Sequence, residues 1–326
     1  SSYQFFDASG YLEYRAGEQF QFGYEGSQAY IQNKAVLNED TQELETVPTT
    51  VDFSQMLPTT LSADTIIIQT GSTYTLGENE TLEVKEKLEL ISTNANVVIN
   101  GQVNVKSSDS DGKIDELIIN AANDILIVNE GISADVHSMN SGNDITIDYS
   151  NQDIKLRGKI EAGNDVNLRV LENDKGISAE DVTILAEGDI FMDAQRSIAS
   201  TTASMFAAKD LTAKALKYIT LNTMVETLDV VSLGDGNITI TEADELTITS
   251  AIANDGSISI ISGDNMTAIN VTTSLDAHNT SANNISPKSF GERIYVGYVE
   301  TATAQQDNKQ FGSITLESGK YILDNT

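Results

Sequence analysis

The chain has 326 residues, 49 of them acidic and 19 basic, for a formal net charge of −30. With no Cys, no Trp, 3 Pro and 2 His, it can form no disulfide frame, thiolate zinc site or cysteine nucleophile, and it offers little for a histidine-based metal or acid–base centre. The negative charge makes nucleic acid a poor partner, and no apolar run approaches the ~18–20 residues of a membrane span, yet 40% hydrophobic residues suffice for a folded core.

The chain opens at Ser1 without an initiator Met or a signal peptide, and reads as a processed product or a segment of something larger. The lack of Cys fits an extracellular bacterial or archaeal setting. Residues 1–31 hold nine of the twenty Phe and Tyr, namely Tyr3, Phe5, Phe6, Tyr11, Tyr14, Phe20, Phe22, Tyr24 and Tyr30. Aromatic and polar residues alternate there between glycines, which predicts hairpin strands with one apolar face. Two roles fit this zone: a cap over the first coil of a repeat region, or, slightly preferred, a docking surface for a subunit or a preceding domain. Residues 32–60, acidic and Thr-rich with Pro48 and Pro58, predict an irregular connection, so that residues 1–60 form a cap or docking segment plus linker.

From about residue 61 the texture changes. Short β-branched runs such as I-T-I, L-E-L, V-V-I and I-S-I recur between Asn, Asp, Gly and Ser, which is the signal of short strands. An aspartate followed by an aliphatic residue opens successive units at Asp124, Asp144, Asp165, Asp189 and Asp210, in steps of 20, 21, 24 and 21. Gly236–Ile240 (GNITI) and Gly256–Ile260 (GSISI) are offset by 20. Each unit holds three apolar pieces, as in Ile145–Asp165, ITIDYSNQDIKLRGKIEAGND. Three short strands per unit predict an all-β parallel β-helix, a β-solenoid of about 20–21 residues per coil, over residues 61–285. One coil leaves half its backbone groups unpaired, so such a fold is stable only as a stack. Thr202–Tyr218 is rich in Ala, Leu and Lys and competes as a short helix; strand is preferred because Asp210 and Leu211 keep the repeat register. Residues 286–326 are strand-rich, with Tyr295, Tyr298, Phe311 and Tyr321, and form a second candidate contact surface. They end without an obvious cap, which invites another repeat or another subunit.

The text SGNDITIDY, QDIKLRGKIEAGNDVNL, AEGDIFMDA and GDGNITITEADELTITSAIANDGSISI resembles the repeats of filamentous haemagglutinin-like proteins and related large bacterial surface adhesins. The resemblance covers about residues 117–270. It implies a right-handed parallel β-helix on an exported protein of the cell surface. The N-P-N-type motifs of that family's secretion domain are absent; the prolines lie in V-P-T, L-P-T and S-P-K.

Candidate chemistry is sparse. Ser107–Glu116, SSDSDGKIDE, sets Asp109, Asp111 and Asp115 around Gly112, like the middle of a calcium loop of EF-hand type. Ser107 and Ile118 depart from the first and twelfth ligand positions, and a solvated acidic loop is the preferred reading. Asp144, Asp165, Asp189 and Asn237 could line up as a cation ladder, but Asn and Asp at coil corners more commonly serve the turn itself. Forty-nine acids guarantee chance carboxylate pairs. The chain is therefore read as a non-enzyme: a rigid acidic rod of structural or adhesive role at the cell surface. It would self-associate into a filament or layer, or belong to a large adhesin, with a glycan or other cell-surface ligand as a further partner. Calcium could screen the repulsion between such rods. The runner-up is a polysaccharide-active lyase or hydrolase.

Overall fold

In a computed structural model the described residues are 8–15, 29–37, 44–52, 60–71, 73–105, 116–129, 131–133, 136–273, 283–301 and 312–324. They contain strands and no helix, and the strands stack in parallel as a β-solenoid.

Three columns of parallel pairing build the stack, one on each face of the coil. On the first face, Ile154 pairs with Ile177, then Ile198, Ile219, Ile238, Ile258 and Ile285. On the second, Ile68 leads to Leu90, Ile119, Met139, Ile160, Ile184 and Phe206. On the third, the rungs are Tyr74, Val97, Ile125, Ile145, Val166, Ile190, Leu211, Leu228 and Ile248, which marks about nine turns. Nearly all these side chains are fully buried, and they merge into one continuous apolar cluster. The alternation seen in the sequence explains why. In Ile145–Tyr149 the residues Ile145, Ile147 and Tyr149 turn inward, while Thr146 and Asp148 turn outward.

The steps along the third face run 23, 28, 20, 21, 24, 21, 17 and 20 residues, so the unit is looser than its mean. Some extra residues are taken up as register shifts inside the pairings, as where Leu156 pairs with Ala179 and Gly158 with Val182. The longest of these steps holds residues 106–115, which lie outside the described set.

The N-terminal zone departs from expectation. Among the described residues β1 (Ala8–Arg15) pairs not in a hairpin but in parallel with β4 (Thr60–Thr70), Leu12 opposite Ile66 and Tyr14 opposite Ile68. A period of two fixes which face a residue takes but not which strand it joins. The expected irregular connection holds a ribbon instead. β2 (Ala29–Leu37) and β3 (Leu44–Asp52) pair antiparallel, with Asn33 opposite Pro48. A two-stranded ribbon has only edge strands, where a proline without N–H is tolerated. Thr46, Val47, Thr49, Thr50 and Val51 carried the β-branched signal that the acidic, proline-bearing text obscured. The Ala- and Lys-rich stretch is a strand, Met205–Ala215, in register with its neighbours on both sides. Beyond residue 285, Arg293–Glu300 pairs with Met266–Thr273, and Tyr321–Asp324 pairs with Arg293–Glu300. The parallel ladder therefore runs on into the C-terminal zone.

Candidate functional site

The corner between the second and third faces is the most regular polar feature. Three of the aspartates that open units, Asp124, Asp144 and Asp165, bond to the unit above. Asp124 Oδ1 accepts from Asn143 Nδ2 at 2.7 Å and from the Asp144 N–H at 3.3 Å. Asp144 Oδ1 accepts from Asn164 Nδ2 at 2.8 Å and from the Asp165 N–H at 3.1 Å. Asp165 Oδ1 accepts from the Asp189 N–H at 2.8 Å. Asn237 does the same on the first face, accepting the Ser257 N–H at 2.8 Å. These oxygens stitch coil to coil. Among the described residues no group of three or more His, Asp or Glu is placed to hold a metal ion. Asp109, Asp111 and Asp115 lie outside the described residues.

A groove of about 650 Å³ crosses several coils beside this corner. Its floor is alanine: Ala162, Ala186, Ala207 and Ala208. Ala207 stands on the outer face between Leu185 and Met224 in the same register row, and its small side chain leaves a dip between two larger ones. Glu161, Glu187, Lys209 and Glu226 also line it. The Glu161 carboxylate is held by Lys159 at 2.6 Å. The groove gathers residues from successive coils that are far apart in the chain. Reading down the column at each coil start would have brought Glu187 and Lys209 together, but nothing local in the sequence marks them.

Two carboxylates sit at the core boundary. Glu242, 2% exposed, accepts from Thr223 Oγ1 at 2.8 Å and from the Val225 and Asp244 N–H groups at 3.1 Å each. Burial raises its pKa above the ordinary glutamate value, and these hydrogen bonds pull it back. Glu80 Oε2 accepts the Gly77 N–H at 2.7 Å, and its pKa too is raised by burial. Neither lines the groove, and their partners are backbone amides and, for Glu242, the Thr223 hydroxyl.

The aromatic candidates divide. Tyr3, Phe5, Phe6, Phe20, Phe22 and Tyr24 lie outside the described residues. Tyr11 and Tyr14 are on β1, opposite Thr65 and Ile68. Tyr321 is 52% exposed on the last strand. Nearby, Ile314 and Ile322 are 45% and 51% exposed, although they occupy the columns of Ile285 and Ile294, which are fully buried. These two isoleucines look like core residues in the sequence, yet both are exposed.

The fold thus defines an all-β parallel solenoid. Comparison with protein-family models, curated proteins and solved structures gives no match.

Proposed function

We propose that this chain is a structural or adhesive element of an exported cell-surface protein, a rigid acidic rod that spaces, joins or sticks. It would serve as a segment of a large adhesin or as a subunit of a filament or layer. The observation that supports this is the single unbroken ladder, which takes up strands from near residue 8 to residue 324. Calcium is proposed as a cation that screens the acidic surface, with Asp109, Asp111 and Asp115 as candidate ligands. A surface glycan is proposed as a further ligand.

Electron microscopy of the purified chain, with and without millimolar calcium, tests the rod. The rungs from Tyr74 to Ile248 alone should measure roughly 40 Å at ~4.8 Å per coil. Elongated particles are expected, and compact globules would sink the reading.

The groove favours a second reading, a polysaccharide-active enzyme, because Glu187 and Glu226 face it without a side-chain partner among the described residues. Turnover of an acidic polysaccharide, lost in both Glu187→Gln and Glu226→Gln, would put the enzyme first. No turnover by the folded chain on a polysaccharide panel is the expected result.

A further inference from the structure

We propose that Asn237 is the acceptor of an N-linked glycan, and that the first sugars of that glycan cover an apolar patch on the adjoining coils. The inference goes beyond the rod reading and can fail without it.

Among the described residues, Asn-x-Ser/Thr tripeptides begin at Asn79, Asn237, Asn265, Asn270 and Asn284. Such a tripeptide takes a glycan only where its amide and its hydroxyl are both open to the transferase. Asn270 fails because Thr272 is buried. Asn284 fails because the Ser286 hydroxyl donates to the Ile258 carbonyl at 3.4 Å. Asn265 and Thr267 are both part-buried. Asn79 is exposed, but Thr81 is part-buried and the turn is clamped by the Glu80 carboxylate on the Gly77 N–H. At Asn237 both ends of the tripeptide are exposed, because Asn237 and Thr239 flank the inward Ile238. Asn237 Oδ1 accepts the Ser257 N–H at 2.8 Å, which leaves Nδ2 to react. Substitution on Nδ2 keeps the oxygen as an acceptor, so the bond between coils survives the modification.

An independent observation lies at the same corner. Leu216, Tyr218 and Leu233 are 41%, 47% and 40% exposed, three large side chains on two adjoining coils. The Leu233 N–H donates to the Ala215 carbonyl, and the Ile219 N–H donates to the Asn237 carbonyl at 2.9 Å. Gly236 lies so close to Tyr218 that a Cβ there would stand 2.3 Å from its backbone nitrogen. The patch therefore adjoins the acceptor, within reach of a sugar tethered there. A sugar ring offers an apolar face of C–H groups to an aromatic side chain while its hydroxyls stay in water. The donor is a glycan carried on a lipid diphosphate and brought by an oligosaccharyltransferase. Asn237 Nδ2 bonds to the anomeric carbon, whose bond to the diphosphate oxygen breaks. The lipid diphosphate leaves with that electron pair, one Nδ2 proton passes to the transferase, and nothing is oxidised or reduced.

Export of the full chain in cells that hold an oligosaccharyltransferase and its lipid-linked glycan tests this, with a control acceptor protein in the same cells. Peptide mass spectrometry should find the glycan on Asn237. It should be lost in Asn237→Gln and in Thr239→Ala, and kept in Thr239→Ser. The glycosylated chain should melt higher than the same chain from cells without the transferase. Tyr218→Ala should keep the glycan and lose that rise. An unmodified Asn237 on a folded chain beside a modified control would overturn the proposal, as would occupancy that survives Thr239→Ala. No rise in melting point, or a rise that survives Tyr218→Ala, would overturn the covering of the patch. Elongated particles with Asn237 unmodified would sink the acceptor and leave the rod reading intact.

Discussion

Glu242 shows how one side chain repairs a local fault in the ladder. Ile219–Thr223 pairs with Ile238–Glu242, and pairing above resumes only at Thr227 opposite Thr247. Between these points the Val225 N–H has no strand above it. The Glu242 carboxylate takes that proton donor and the Asp244 turn N–H together. Glu242→Ala should leave both unsatisfied and cost about 1–3 kcal/mol, read from the denaturation midpoint. The sign of its pH dependence follows from burial. A folded-state pKa raised above the unfolded value means that the native state holds its proton longer. The contribution of Glu242 is therefore fully present below the unfolded glutamate pKa and is lost as pH rises through the raised folded value. The difference in stability between wild type and variant should shrink across that window, and a difference that grows with pH would refute the assignment. Tyr149 and Gly131 make a second such fit. The Tyr149 hydroxyl accepts the Ile132 N–H at 3.1 Å, and a Cβ on Gly131 would stand 2.2 Å from the ring, at a φ of +51°. A side chain at residue 131 would displace the ring from its place.

At the scale of the element, the coil corner carries more order than its composition suggests. Asn129, Asp174 and Asp181 adopt positive φ, the conformation that Asn and Asp tolerate best. The unit-opening aspartates make a different contribution, an acceptor directed at the next coil. Asp144→Ala should remove two such bonds and cost about 1–2 kcal/mol by thermal melting, whereas Asp144→Asn, which keeps an acceptor oxygen, should cost little. A column that served a cation would behave otherwise, since the Asn variant would lose calcium-dependent stabilisation. For comparison, Ile147→Ala on the buried side of the same coil should cost about 2–5 kcal/mol.

At the scale of the molecule, the ladder was legible because inward Ile, Leu and Val recur with the aspartates as a clock. The steps from Asp124 to Asp210 match the rungs from Ile125 to Leu211 one for one. The partner of β1 was not legible, because Leu12 and Tyr14 alternate identically in a hairpin and in a coil. The groove was hidden because Glu161, Glu187 and Glu226 approach one another only after stacking. The exposure of Ile314 and Ile322 was hidden for the opposite reason: both have the pattern of core residues.

The strands lie across the axis along which the coils accumulate, and this sets how the molecule answers a pull on its two ends. Tension along the axis loads the rungs of one coil at a time, so they part in succession, like a zip. Each coil contributes ~4.8 Å while stacked, yet its roughly 20 residues reach about 70 Å when drawn out. A stiff spacer of this design is also a reserve of length that pays out in small increments. Single-molecule stretching should give a sawtooth of low, evenly spaced releases, each about one coil long, and one abrupt rupture of the whole stack would show that the coils fail together.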